Sequence, residues 1–240
     1  MKKLCEDQKK VLIKALAALF NDLFLQDIDD AVAQAKTEIS VKTLEDRKRF
    51  LGEFFDSQMK TLESRDCPGA IIEAFQAKRD EVLSKVVAME MPEGHIPFIP
   101  VIPRSYLGIY GLMPMVRNGD KVGFTYLNPN EITDNEKTPK SPYFIYDVED
   151  GIGTLGKTPE SAGQLIKKQD RLCHIPDEDI ALAIHTSVLS HHCLWSTGSR
   201  CKVADLVPSV YLYDDGPELY WDYTVISHNE WGSASCRSRA

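Results

Sequence analysis

Residues 91–114 read MPEGHIPFIPVIPRSYLGIYGLMP. Up to Met89 the apolar residues recur at helical spacing. From Pro92 onward proline and glycine arrive every few residues, as Pro97, Pro100, Pro103, Gly108, Gly111 and Pro114. Proline removes a backbone donor and clashes with the preceding helical turn, so helix is not expected here. Phe98 to Ile102 reads instead as a short, proline-interrupted edge strand, because an edge can lack N–H groups on its open side. The stretch therefore divides the chain into a helical region, residues 1–92, and an α+β region, residues 93–240. The expected class is α+β, with an N-terminal helical region followed by a mainly antiparallel sheet with inserted helices.

Upstream, three helices are expected. Leu12, Leu16, Phe20, Leu23 and Ile28 form one apolar face over Glu6 to Lys36. A second helix starts near Thr43, where Thr43 and Asp46 resemble a capping box, and carries Leu44, Leu51, Phe54, Phe55, Met59 and Leu62. Pro68 suits the first turn of a third, which Ile71, Ile72, Phe75, Val82, Leu83 and Val86 extend to about Met89. These faces must be buried against one another, against the later region, or across a dimer.

Downstream, Met113 to Arg117 and Lys121 to Leu127 flank Asn118-Gly119, a pair that suits a type I′ hairpin turn. Asn128 to Ser141 is polar and reads as an exposed loop. Tyr143 to Val148 is a strand. Thr158 caps a helix with Pro159 at its first position, and a further helix runs from Ile175 or Pro176 to His191. The acids Asp177, Glu178 and Asp179 favour that helix's N-terminal dipole. Val207 to Tyr213 and Leu219 to Val225 flank Asp214-Asp215-Gly216-Pro217 as a second hairpin.

The net charge of −8 is spread along the chain. Nucleic-acid binding needs clustered cations, and Arg237 with Arg239 make only a short basic ending. After Met1-Lys2-Lys3, charged residues interrupt what would be a leader's apolar core, and no run reaches the length of a membrane span. A cytoplasmic protein is expected, contacting neither nucleic acid nor membrane. A protein partner or self-association through the N-terminal helices fits the amphipathic faces.

Chemistry-bearing residues gather late in the chain. Of six cysteines, Cys173, Cys193, Cys201 and Cys236 fall in the last third. His185, Cys193, Cys201 and Cys236 are of the types that hold zinc, although no closely spaced Cys pair marks a zinc site, and free cysteines also serve as small core hydrophobes. No other cofactor is evident. His192-Cys193 followed by Arg200 has one residue too many for a tyrosine-phosphatase loop, which favours a loop with a satisfied arginine. Gly151-x-Gly153-x-x-Gly156 formally matches a dinucleotide fingerprint, but without repeated βαβ units it reads as a turn. The tyrosines and Trp221 of the last hairpin suit half-buried strands.

Gly198-Ser199-Arg200-Cys201 and the closing Gly232-Ser233-Ala234-Ser235-Cys236 carry a resemblance. Together with the proline-rich strand at Phe98 to Pro103, Pro142-Tyr143-x-x-x-Asp147-Val148, and the strand Val207 to Leu212, they resemble a bacterial family described only as a domain of unknown function. The likeness covers about residues 95–237. It implies no activity, but it does imply that the two Cys-containing motifs belong to one structural site. Two readings follow. The first is a binding or interaction protein without evident catalysis. The alternative is a thiol- or zinc-dependent enzyme or metal-binding protein using Ser199, Arg200, Cys201, Ser235 and Cys236, with Arg200 on an anionic ligand and Cys201 as nucleophile or metal ligand.

Overall fold

The computed structural model describes residues 44–203, 205–214 and 216–240. The expected helix over Glu6 to Lys36 and the cap at Thr43 lie outside the described residues. Helix α1 (Leu44–Ser64) buries Leu51, Phe54, Phe55, Met59 and Leu62, the stripe its sequence presents. The expected third helix is two, α2 (Gly69–Gln76) and α3 (Arg79–Val87). They part at Lys78, which takes φ −95°, ψ 0° and sends its ammonium to the Pro142 carbonyl at 2.9 Å.

These helices pack on a three-stranded antiparallel sheet of order β1–β6–β14, with β1 spanning Ile96–Val101, β6 Tyr143–Val148 and β14 Ser238–Arg239. Phe54 meets Phe98 edge-on at 5.2 Å between ring centroids, and Phe75 meets Phe144 likewise at 5.2 Å. Edge-to-face pairs of this kind add about 1 kcal/mol each beyond burial. Every residue of β1 and β6 is buried. As expected, β1 is an edge strand.

Beyond β1 the expectation of no helix fails. Pro103 is extended (φ −61°, ψ 140°) and opens α4, Arg104–Leu112, whose two halves meet at Gly108 with φ 66°, ψ 163°. Proline before a helix is permissive, and glycine supplies the left-handed joint. Met113–Met115 is a 3-10 turn rather than a strand. The hairpin exists but is short and shifted: β2 (Arg117–Asn118) pairs with β3 (Lys121–Val122), Asn118 lies opposite Lys121, and Gly119 carries the positive φ of 62°. Thr125 of β4 (Phe124–Thr125) leaves that hairpin to pair in parallel with β11 (Gly216–Tyr223).

The expected loop after Asn128 contains β5 (Ile132–Asp134), antiparallel to β9 (Ser199–Cys201). Helix α5 (Pro159–Lys168) begins where the sequence places it, with Thr158 Oγ1 accepting from Ser161 N at 3.2 Å. Helix α6 spans Pro176–His185 and every residue of it is buried. It stops short of His191 because Thr186 turns extended (φ −145°), its Oγ1 donating to the Leu182 carbonyl at 2.7 Å and accepting from Val188 N at 3.2 Å. A hydroxyl that offers the backbone such bonds competes with the helical ladder. A turn, α7 (Val188–His191), follows.

A five-stranded sheet of order β12–β8–β10–β11–β4 completes the fold. It comprises β8 (Cys193–Trp195), β10 (Leu206–Tyr213), β11 (Gly216–Tyr223) and β12 (Trp231–Gly232) with β4. The second hairpin is present, and its ladder extends to Tyr213 opposite Gly216, drawing residues expected in the turn into the strand. Finally β13 (Ser235–Cys236) pairs with β7 (Leu172–Cys173). The architecture is α+β as expected, with more helices after residue 93 than the two the sequence suggested. No described helix is long and apolar enough to cross a membrane.

Candidate functional site

Strand β6 carries Asp147 one residue before its end, at a left-handed φ of 52°. Between the pairs Ile96↔Val148 and Phe98↔Tyr146, the register sets Pro97 opposite Asp147. Proline has no N–H to offer, so the twisted backbone of Asp147 costs the ladder little there. Asp is among the residues that tolerate this region, at about 1 kcal/mol.

The Asp147 side chain is fully buried, and three basic groups surround it. His95 Nδ1 makes a very short contact with Oδ1. Arg171 Nη1 lies 3.4 Å from Oδ2, and Arg237 Nη1 lies 3.9 Å from it. Burial pushes the Asp147 carboxyl upward, but the His95 hydrogen bond and the Arg171 charge outweigh it and hold the group below the ordinary carboxylate range. Arg171 is itself fixed, with Nε donating to Ser235 Oγ at 2.9 Å and Nη2 to the carbonyls of Asp147 and Ser235.

These groups border a polar cleft of about 410 Å³, lined by Pro92, His95, Glu149, Gly153, Thr154, Gln169, Arg171 and Arg237. That volume suits a small ligand. The glycine-rich turn forms one wall, with Gly153 N donating to Glu149 Oε1 at 2.8 Å. The turn reading of residues 151–156 matches its form: Gly151 and Gly156 take φ of 104° and 73° around a 3-10 turn. A larger groove of about 560 Å³ between α1 and α3 is lined mainly by charged residues of both signs.

A second polar structure lies at the N-terminus of α6. Asp177, Glu178 and Asp179 are all buried, and each meets a different cation or histidine. Arg104 gives its Nη1 to Asp177 Oδ1 at 2.9 Å and its backbone N–H to Oδ2 at 2.8 Å. Arg239 grips Glu178 through Nε and Nη2, and Tyr143 donates to the same carboxylate at 3.1 Å. His174 Nδ1 lies 3.0 Å from Asp179 Oδ1, and Ser196 donates to Oδ2 at 2.6 Å. Burial pushes Asp177 up to about 6 in spite of Arg104. These acids are thus more than dipole partners: they join α4, α6, β14 and His174, which follows β7, by buried pairs, which only matched charges permit. Arg239, expected in a basic ending, is one of those buried cations.

Both cysteine motifs touch the segment Leu172–His174. Gly198 N donates to the His174 carbonyl at 2.8 Å, and His174 N donates to the Ala234 carbonyl at 3.3 Å. Gly198 and Gly232 are required by close approach. A Cβ at Gly198 would lie 2.6 Å from the Cys173 carbonyl oxygen, and one at Gly232 would lie 2.2 Å from that of Gly151.

The candidate residues within the motifs have separate duties. Ser199 donates to Asp134 Oδ1 at 2.6 Å, Arg200 gives Nη1 to the Thr197 and Ser199 carbonyls, and Cys201 pairs with Ile132. Ser235 supports Arg171 at the cleft wall, while Cys236 is fully buried. None of the five lines the cleft. Arg200 Nη1 thus braces its own loop through backbone carbonyls.

The candidate zinc set does not assemble. His185 is buried on α6 with neither ring nitrogen hydrogen-bonded, Cys193 is on β8, Cys201 on β9 and Cys236 on β13. Among the described residues, no group of three or more His, Cys, Asp or Glu side chains could hold a metal ion. The five described cysteines are free. Burial pushes Cys67, Cys193 and Cys201 up to about 11 and raises Cys173 and Cys236 as well. Such thiols are poor nucleophiles at neutral pH.

A family model matches residues 59–240. The chain belongs to DUF5701, a family of unknown function. No curated protein matches the chain, and no solved structure does. The DUF5701 region begins within α1, upstream of the motifs that carried the sequence resemblance, and it contains every residue lining the cleft. Sequence reasoning missed His95, Arg171 and Asp147 as a group, because they are far apart in the chain. The one local signal was the Pro-Tyr-x-x-x-Asp-Val segment, in which an aspartate interrupts an apolar strand.

Proposed function

We propose that this DUF5701 protein is a binding protein whose cleft takes a small ligand carrying an anionic group. The supporting observation is the balance of uncommitted donors and acceptors in the cleft. Asp147 is already paired, with His95 at Oδ1 and Arg171 3.4 Å from Oδ2, and Glu149 accepts from Gly153 N. Arg237, whose side chain is 63% exposed, keeps most of its donors, and Gln169 also lines the cleft. A guanidinium fork suits a carboxylate or phosphate. The raised thiols speak against the thiol-enzyme alternative.

Isothermal titration calorimetry with succinate and with inorganic phosphate tests the reading. One of them should bind with 1:1 stoichiometry, and Arg237→Ala should weaken it at least tenfold without moving the melting temperature. Absence of binding by both anions, or unchanged binding by Arg237→Ala, would sink it.

A further inference from the structure

We infer, resting on that reading of the cleft, that its ligand is a substrate: His95 is a general base for hydrolysis of a small ester bearing a carboxylate. The geometry starts from Asp147. An ionised, buried carboxylate at Nδ1 fixes the neutral imidazole as the Nδ1–H tautomer, which leaves the lone pair on Nε2. His95 lines the cleft and its side chain is 16% exposed, so Nε2 is the ring atom left for a ligand. Asp147 in turn cannot swing away. Arg171 clamps both its side chain and its carbonyl, and Arg171 is locked to Ser235. A base oriented by a buried carboxylate, beside an open cleft with an exposed cation, is an arrangement for proton transfer.

The acyl choice follows from the donors. With Arg237 on the substrate carboxylate, one base and one neutral N–H donor, the Gln169 amide, remain for one developing oxyanion. Phosphoryl transfer spreads charge over three oxygens and calls for a denser cationic cradle. In the step, Nε2 takes a proton from water as the water oxygen bonds to the ester carbon. The carbonyl electrons move to its oxygen, which the Gln169 amide holds, while Arg237 keeps the substrate carboxylate. The bond to the alcohol oxygen then breaks, and that oxygen leaves with the proton from Nε2. Ester and water become acid and alcohol, and His95 returns to neutral. His95 is the catalytic residue and Asp147 a positioning residue.

The probe is mono-4-nitrophenyl succinate, followed by nitrophenolate release, with succinate binding measured on the same preparation. The wild type should exceed the buffer rate. His95→Gln should lower kcat by about 100-fold or more, the range of general-base effects, and keep the succinate Kd within threefold. Asp147→Asn should lower kcat with the succinate Kd unchanged, a split that loss of packing alone would not produce. If a variant does not fold, carbethoxylation of wild-type His95 by diethyl pyrocarbonate decides, read by peptide mass spectrometry. Turnover lost in step with His95 modification, and protected by succinate, sustains the inference, whereas turnover that survives full modification overturns it. Succinate binding without turnover also overturns it and leaves the binding reading standing. No binding at all removes both.

Discussion

Substituting leucine for His185 is expected to flatten the acid limb of the protein's stability curve. The imidazole is 4% exposed, and neither nitrogen has a hydrogen-bond partner among the described residues. Burial, with the Arg65 charge adding to it, pushes its pKa down to about 3. Unfolding releases the ring to water, where it titrates near about 6.5. As pH falls from that value toward about 3 the unfolded chain gains a proton that the folded chain refuses, so stability drops throughout the window and levels off below it. At pH 5 the loss is RT ln(1 + 10^1.5), about 2 kcal/mol, and it reaches about 4 kcal/mol at pH 3, where the folded ring begins to take up its own proton. Urea unfolding at pH 8.0 and pH 5.0 isolates the effect. Each protein serves as its own reference, so any packing change in the variant cancels. The wild type should lose about 2 kcal/mol more than His185→Leu between the two pH values. Equal losses would refute the reasoning and mean that the folded protein accommodates the proton.

Three further outcomes are expected. Arg239→Met strands the fully buried Glu178 carboxylate and should cost about 3–5 kcal/mol in urea unfolding; adding Glu178→Gln should recover part of that loss, and strict additivity would count against the pairing. Gly198→Ala and Gly232→Ala each force a Cβ into a carbonyl oxygen and should each destabilise by about 1–3 kcal/mol or more; a neutral effect at either position would mean that the facing segment yields. Maleimide labelling with peptide mass spectrometry should leave Cys173 and Cys236 unmodified in the native protein and label them in denaturant, because both are fully buried. Rapid native labelling of either would contradict their burial.

Features set by neighbours in sequence were legible. Strand β6 is a compact apolar run, the Thr158–Pro159 start of α5 is a local capping signal, and the edge position of β1 follows from its prolines. Features set by distant partners were not. Strand β5 looks like loop because Ile132 and Asp134 gain strand geometry only from Cys201 and Ser199. Helix α4 was hidden by prolines, yet Pro103 precedes its first turn, where proline does no harm. Asp177, Glu178 and Asp179 followed the pattern of an exposed helix start, and only the arrival of Arg104, His174 and Arg239 makes their burial tolerable. The cleft was illegible for the same reason. His95 and Arg237 are brought together by the β1–β6–β14 sheet and by nothing local.

That sheet imposes an order on synthesis. As the chain leaves the ribosome, β1 and β6 can pair once residue 148 has emerged, and α1 to α3 can then cover them. But β6 keeps one bare edge, and Glu178 lacks its guanidinium, until residues 238 and 239 appear. A nascent chain of about 200 residues thus holds a partly formed core with an open strand edge, the kind of surface that invites wrong pairing. Completion comes from a short strand that adds a third ladder and neutralises a buried acid in one movement. The fold is therefore latched from its C-terminal side, and a ribosome that stalls shortly before residue 238 leaves the latch undone.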